Sequence, residues 1–565
     1  MKITQDKDKL EITGVRFYGD IYQKVMGCPD RKILKNGRFL CLNSFSNVEY
    51  LLQTFPEALW EGEADILKHQ YYAQKKQEQL LLDSKDADFG NNDYPDVFKT
   101  RPFAHQLQAF EVSKDAEAYG LFFEQGCGKT KVTIDNATYL FTNGKIDAMV
   151  IIAPNGVHKN WITDELPTHC NIPYAAFCWE GNLNKKNQEL LDTVNKSPDL
   201  KIYSFNIECF AGIKQPELLL KIMSANRCLM VVDESQTIKN PSALRTKFIS
   251  GKAGRLAKYK RILSGTPITK GTEDIYSQFQ FLDPKIIGIA SFYAFKARYC
   301  RMGGYLNKMI IGYNRIDELQ EKIKTYTMRV LKKECLDLPE KIYQKEPFSL
   351  TADQIRIYQE IRDEGIAYCQ NRVEPVTFDN VLSRMMKLQQ ISSGYIMNVD
   401  EKLVEIVAPE HNPRLNKLKD ILSNIDGKVI IWTTYTQDIE YIMKILKHEA
   451  VRYDGKMDRD QKELSKNNFK NDPNIKYFVA NLQAAARGLT LTEATTAIYY
   501  NNSYDLELRL QSEDRCHRIG TTQNVLYIDL EAQKTLDKKI IRTLRSKKKI
   551  ADMVLQDPEN LFMEN

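Results

Sequence analysis

The chain has 565 residues, of which 43% are hydrophobic and 27% charged, with a formal charge of +6. That balance excludes a chain too polar to fold and suits a soluble protein of about three or four units. No run approaches the ~18 uninterrupted apolar residues of a membrane span, and Met1 to Lys7 lacks a signal-peptide core, so a cytosol-like compartment and no membrane partner are expected. Eleven cysteines without a Cys-x-x-Cys pair support neither a disulfide framework nor a zinc site. The charge permits a nucleic-acid partner without requiring one.

Taken in chain order, residues 1–85 read as a small α+β module. It has an apolar segment Leu10 to Tyr18, a helical pattern Ile21 to Met26, a strand Arg38 to Leu42 and a helix Val48 to Phe55. Acidic and Asn/Gly turn signals between Asp83 and Asp96 mark a linker, placed at 86–98. Apolar runs then alternate with helical patterns at Tyr119–Phe123, Ala148–Ile152, Leu200–Tyr203, Cys228–Val232 and Arg261–Leu263, the signature of buried parallel strands in an α/β lobe over 99–285. Residues 286–410 are richer in helical patterning and basic residues and form a connector. The strand pattern returns at Lys428–Trp432, Lys476–Ala480, Ala497–Tyr500 and Val525–Ile528, which predicts a second parallel sheet over 411–530 and leaves 531–565 as a basic helix and tail.

After the first strand, Gln125-Gly126-Cys127-Gly128-Lys129-Thr130 carries the core of a phosphate loop, although Phe123 stands where the full pattern wants glycine. Backbone N–H groups of Gly126, Cys127 and Gly128 can cradle phosphate, Lys129 can neutralise it, and Thr130 can hold magnesium. Alone, the match is also that of a Gly-rich turn before a helix. About one hundred residues on, Asp233 and Glu234 end an apolar run. One carboxylate can hold magnesium and the other can orient or deprotonate water, while the plainer role for such a pair is to cap the next helix. Ser264-Gly265-Thr266-Pro267 follows the next strand. Arg515 and Arg518, three apart on a predicted helix, share a face and are candidate arginine fingers.

This series resembles the Swi/Snf-type branch of the superfamily-two helicase-like ATPases over roughly residues 99 to 550. Thr100 to Gln106 is similar to its opening motif, which implies that Gln106 recognises adenine and hence that the nucleotide is ATP. Ala153 to Trp161 resembles the motif that lies along DNA. Ser264 to Ile268, Phe279 to Pro284, Lys428 to Trp432, Tyr453 to Gly455, Leu482 to Leu491 and Gln511 to Gly520 continue the likeness. The resemblance implies two RecA-like parallel-sheet lobes with helical insertions, and a DNA partner, duplex or branched. It also implies a hydrolytic site of Lys129, Asp233, Glu234, Gln511, Arg515 and Arg518 with Mg2+ on Thr130 and Asp233. Tyr326 to Lys333 and Leu382 to Ile391 resemble helical extensions that widen the DNA track, and Thr535 to Ala551 resembles a bracing helix. Residues 1–85 faintly echo a substrate-recognition repeat beside some annealing helicases, with Tyr18, Tyr22 and Trp60 as base platforms or as core.

Gln236 departs from the usual histidine, Ala485 and Ala486 from glycines, and Asn481 from a small hydroxyl residue. The expected activity is a DNA-stimulated ATPase that moves along duplex or branched DNA. A strand-separating or annealing helicase and a non-hydrolysing clamp remain the alternatives. The compact motor points to a bacterial or viral source, with the cytoplasm as the default compartment and the nucleus as the alternative.

Overall fold

Two sheets dominate the fold because their strands are apolar on both faces: every residue of Ala148–Ala153 and of Cys228–Asp233 is buried. The computed structural model describes residues 1–554 other than 8, 16–18, 29–31, 34–37, 86, 88, 90–91, 93, 156, 182, 212–213, 290, 304–308, 336–337, 371–377, 398–401, 486–488, 490 and 519–520. The first sheet runs, edge to edge, Thr327–Val330, Ala118–Phe123, Tyr259–Leu263, Cys228–Asp233, Ala148–Ala153, Leu200–Asn206 and Tyr174–Cys178, all parallel. The second runs Lys341–Phe348, Val525–Ala532, Ala494–Tyr499, Lys428–Thr433, Tyr477–Asn481 and Ala450–Tyr453, also parallel. This is the two-lobed α/β architecture that the strand runs predict.

Three segments depart from the sequence reading. Tyr326 to Lys333, expected as a helical extension, contains the edge strand Thr327–Val330, which is drawn into the first sheet by the open side of Ala118–Phe123. Lys341–Phe348, from the same connector, borders the second sheet. Tyr94, Val97 and Phe98, expected in a linker, pack into the first lobe's core. Leu382 to Ile391, by contrast, does lie on a helix, Phe378–Ser392.

The N-terminal module is a five-stranded sheet in the order Lys32–Ile33, Phe39–Leu42, Lys9–Thr13, Lys2–Asp6 and Leu59–Trp60. Trp60 is buried in its core, and Tyr22 meets Phe39 edge-on at 5.9 Å, so both serve packing. Tyr18 lies outside the described residues. The sequence reading missed the helix Glu63–Lys85, which leaves this module and rests on the first lobe. There the Tyr326 hydroxyl donates to Glu78 Oε1 at 2.8 Å and accepts from Gln74 Nε2 at 3.2 Å.

The closing helix spans Leu536–Val554. Ile540 and Leu544 bury against Leu506, and the same helix reaches Ile316–Lys324 of the first lobe, the brace expected from its sequence. No helix among the described residues is long and apolar enough to cross a membrane. The helix start is pinned by a fully buried ion pair, Arg414 to Asp537 at 2.5 Å, and Arg414 also donates to the Ser392 carbonyl at 3.2 Å. Breaking such a pair leaves an uncompensated charge. Arg414→Met is therefore expected to destabilise the protein by about 3–5 kcal/mol, and Arg414→Met with Asp537→Leu by much less. Urea unfolding of both variants checks this, and equal losses in the two would show that the pair itself is not what pins the helix.

Candidate active site between the two lobes

The phosphate loop, the Ser264 turn and the acidic pair sit at the carboxyl ends of three adjacent strands, where open parallel sheets bind ligands. Gly126 and Gly128 take left-handed φ values of 87° and 85° to turn the chain under the helix Lys129–Thr142. A Cβ on Gly128 would also fall 2.1 Å from Gln106 Nε2, whereas one on Gly126 meets nothing within 4 Å, so the loop is backed on one side and open on the other. Lys129 is buried and donates to the carbonyls of Phe123 at 2.8 Å and Glu124 at 3.4 Å. Thr130 is the second residue of the helix. Cys127 is buried, with Cys335 Sγ 3.6 Å from its own.

Gln106 backs this loop. Its Oε1 accepts from Phe103 N–H at 3.1 Å and its Nε2 donates to Cys127 C=O at 3.3 Å. The exposed Phe103 ring stacks on His105 at a centroid distance of 6.0 Å.

Asp233 ends its strand nearly buried, accepting from Trp161 Nε1 at 2.9 Å and from Glu234 N–H at 2.9 Å. Burial, then the neighbouring Glu234, push its carboxyl above the usual range. Trp161, quoted in the motif that lies along DNA, thus faces inward and holds an acid. It begins a π-helical turn, Trp161–Glu165, whose last residue brings a third carboxylate close: burial and then Asp233 raise Glu165, and Arg518 opposes them. Glu234 adopts φ 48° and ψ 58°, a left-handed conformation that costs a non-glycine residue about 1–3 kcal/mol. Hydrogen bonds offset that cost. Gln236 Nε2 donates to Glu234 Oε2 at 2.8 Å, and Thr237 donates to the Glu234 carbonyl through both N–H and Oγ1, at 2.9 and 2.8 Å.

From the second lobe, the helix Leu506–Glu513 points at these groups, its start capped by Asp505. Arg515 and Arg518 do not share a helical face as expected. The helix ends at Glu513: the Arg515 N–H closes a tighter turn on the Ser512 carbonyl, and the Arg515 C=O takes Leu491 N–H. The Arg515 guanidinium donates to Gln511 C=O and Leu489 C=O, both at 2.9 Å, and across the cleft to Gln125 Oε1 at 2.6 Å. Burial lowers it to about 10, still charged at neutral pH. Gln511 Nε2 donates to Glu507 Oε1 at 3.1 Å, while Gln511 Oε1 is buried without a partner among the described residues.

The lobes are tied beside this cleft by Lys332. Its N–H donates to Glu124 Oε2 at 2.8 Å, and its ammonium donates to Asp514 Oδ1 at 2.7 Å and His517 C=O at 2.8 Å. Lys341 adds contacts to Glu513 and Asp514, both at 3.3 Å.

Of the residues expected at the site, Gly126 to Thr130, Asp233, Glu234, Gln511 and Arg515 converge on one cleft. Arg518 acts electrostatically on both Glu165 and Arg515, and Gln106 supports the loop from behind. Residues 486–488, within the quoted Leu482 to Leu491 string, and Ile519 and Gly520 lie outside the described residues. Sequence reasoning missed Gln125, Glu165, Lys332 and Glu507. Gln125 and Lys332 stood inside quoted strings, whereas nothing local marks Glu507.

The SNF2-related domain matches residues 46–394, more than half of the chain, and the helicase conserved C-terminal domain matches 413–520. The chain belongs to the SNF2-related family. Among its relatives, the SWI/SNF chromatin-remodeling complex subunit snf22 of Schizosaccharomyces pombe is 24% identical over 77% of this chain and 26% of that protein. The putative ATP-dependent helicase/translocase YwqA of Bacillus subtilis is 25% identical over 78% of this chain and 47% of that protein. This SNF2-related chain therefore spans about a quarter to a half of the length of these curated relatives. A solved SWI2/SNF2 ATPase core of Sulfolobus solfataricus in complex with dsDNA is 22% identical, covering 84% of this chain and 97% of that one, with a TM-score of 0.38.

Asp514 gives the lobe tie a pH signature. Burial opposes its charge, but Lys341 and Lys332 outweigh burial and hold the carboxyl at about 2. A depressed carboxyl stabilises the fold above its ordinary value near ~4 and loses that contribution as pH falls from there towards ~2. Asp514→Asn should therefore be less stable than the parent at pH 7 and approach it in the acid range. Urea unfolding across pH 3–7 tests this, and a constant difference between the two proteins would count against the tie.

Proposed function

We propose that this chain is an ATP-dependent DNA translocase, a DNA-stimulated ATPase that acts on duplex or branched DNA. The observation that carries this reading is the Arg515 contact with Gln125: a buried arginine of one lobe reaches into the phosphate loop of the other. Hydrolysis is thereby made conditional on how the lobes are placed.

In this reading, the backbone N–H groups of Gly126 to Thr130 receive the outer phosphates of ATP, and Lys129 exchanges its carbonyl partners for phosphate oxygens. Glu234 takes a proton from water, and Gln511 Oε1, which has no partner among the described residues, offers that water an acceptor. Arg515 leaves Gln125 to meet charge developing on the leaving phosphates, a role typically worth about three to five powers of ten in rate. The site also fits Mg2+. Glu234 raises the Asp233 carboxyl and Asp233 raises that of Glu165, repulsions that a cation would relieve, and Thr130 lies in the first turn of the helix that follows the phosphate loop. When bound, the ion neutralises charge on the phosphates, with Asp233 and Thr130 as the residues that would hold it.

DNA enters through the family and through the chain's basic balance. Lysine and arginine contacts to phosphates make such movement independent of sequence and sensitive to salt. ATP hydrolysis should be measured for the parent, Lys129→Ala, Glu234→Gln and Arg515→Ala with no polymer, single-stranded DNA, duplex DNA, forked DNA and RNA. Duplex or forked DNA should stimulate the parent, Lys129→Ala and Glu234→Gln should lose at least about a hundredfold, and Arg515→Ala about a thousandfold. Stimulation by RNA alone would overturn the substrate. Binding of DNA without turnover would make the protein a clamp.

A further inference from the structure

Two thiols meet at the phosphate loop. Cys127 stands between Gly126 and Gly128, and its buried Sγ lies 3.6 Å from that of Cys335, the last residue of the short helix Lys332–Cys335. Cys127 belongs to the first lobe's core and Cys335 packs on the edge of it, half-buried. The Cys335 sulfur also lies 3.3 Å from the Leu331 carbonyl, to which its S–H can donate. Neither sulfur has a part in the hydrolytic scheme above, in which the loop offers phosphate its backbone N–H groups.

The backbone on each side holds the pair in place. Glu124 N–H donates to the Val330 carbonyl at 3.0 Å, Lys332 N–H donates to Glu124 Oε2 at 2.8 Å, and Leu331 N–H donates to Glu334 Oε2 at 3.0 Å. On the loop side, the Cys127 carbonyl accepts from His105 Nε2 at 2.8 Å and from Gln106 Nε2 at 3.3 Å. A cysteine has one χ angle to adjust, so the contact between the sulfurs follows from the backbone that carries them. Closing it to a disulfide of about 2.05 Å requires an approach of about 1.5 Å. Cys335 is the partner that solvent reaches. Burial raises both thiols; Lys129 opposes it at Cys127 and the hydrogen bond with Cys127 opposes it at Cys335, while Glu124 adds to it at both and Glu334 at Cys335. Both are therefore protonated at neutral pH and need a strong oxidant.

We propose that Cys127 and Cys335 form an oxidation site, in which a peroxide joins them as a disulfide that holds the phosphate loop off its working geometry; the effect on hydrolysis rests on the ATPase reading above. The Cys335 sulfur attacks hydrogen peroxide as the thiolate, the O–O bond breaks, one water leaves and a sulfenic acid remains. The Cys127 sulfur then displaces the hydroxyl from that sulfur, the S–S bond forms and a second water leaves, each thiol proton ending in water. Together the two sulfurs give up two electrons and the peroxide takes both. The bridge fixes the loop to the helix whose Lys332 ammonium binds Asp514 and the His517 carbonyl of the second lobe, so that loop and lobe tie no longer adjust separately.

The test treats the full chain with hydrogen peroxide, blocks the remaining thiols with iodoacetamide and maps the unreduced peptides by mass spectrometry. ATP hydrolysis on duplex DNA is measured before oxidation, after it, and after dithiothreitol. The parent should yield a peptide pair joined at Cys127 and Cys335 and lose about a hundredfold in kcat, as for a reacting group displaced by about an ångström, with recovery on reduction. Cys335→Ser removes the sulfur that lies outside the loop and should keep parent-like kcat before and after peroxide; Cys335→Ala replaces it if the serine variant does not fold. Absence of the joined peptides from the oxidised parent, or an equal loss in Cys335→Ser, would overturn the site while leaving the ATPase reading intact. A bridge that leaves kcat unchanged would overturn its hold on the loop. A parent without turnover on any polymer would overturn the ATPase reading, and the peptide map would still decide whether the two sulfurs join.

Discussion

Everything at the cleft depends on where Lys332 is held. It follows the edge strand of the first sheet, gives its N–H to the residue that opens the phosphate loop, and buries its ammonium against the turn that carries Arg515. Burial pulls that ammonium below the ordinary lysine value, with Asp514 opposing. An amine in such surroundings is tolerable because an acid and a carbonyl meet it, against the repulsion of Lys341, which shares that acid. One residue therefore fixes both the phosphate loop's approach and the arginine's distance. The lobes cannot drift apart at this point without stranding a buried charge.

The polar groups around the cleft follow one pattern, in which each catalytic candidate is oriented by a partner committed elsewhere. Trp161 holds Asp233, Gln236 holds Glu234, Ser264 holds Gln236, and Gln106 backs Gly128. The left-handed backbone at Glu234 belongs to the same scheme, since its side chain is held by Gln236 and acts on Arg515 of the second lobe. Preorganisation of this kind moves the cost of orientation into folding, where buried strands supply it, and out of the chemical step.

Much of this was legible in the sequence, for identifiable reasons. Strands buried on both faces write themselves as continuous apolar runs, and Cys228–Val232 or Ala148–Ile152 could hardly be anything else. Edge strands carry no such signal: Thr327–Val330 and Lys341–Phe348 are mixed in character, with the exposed side of each free to be polar, and both were absorbed into a connector. The phosphate loop is legible because glycine is required where φ is positive. Glu234 takes the same backbone conformation without a glycine, so its strain could not be read. The arginines were read onto one helical face, whereas the structure has a turn there, because a spacing of three fits a helix and also fits a turn held by Leu491 N–H, a residue twenty-four positions away in sequence from Arg515. Contacts across the lobes, such as Arg515 with Gln125, join residues 390 positions apart in sequence and leave no local trace.

The N-terminal module enters the same mechanical path. Its long helix Glu63–Lys85 bonds Tyr326, the residue before the edge strand Thr327–Val330, and Lys85 Nζ donates to the Thr327 carbonyl at 2.5 Å. That strand is paired to Ala118–Phe123, which delivers the phosphate loop, and it ends two residues before Lys332. A sheet edge paired along its length transmits displacement better than a loop, because slipping by one residue would turn its side chains to the wrong face. The module is thus tied by one helix to the edge strand that leads into Lys332 and, through the parallel ladder, to the strand that delivers the phosphate loop.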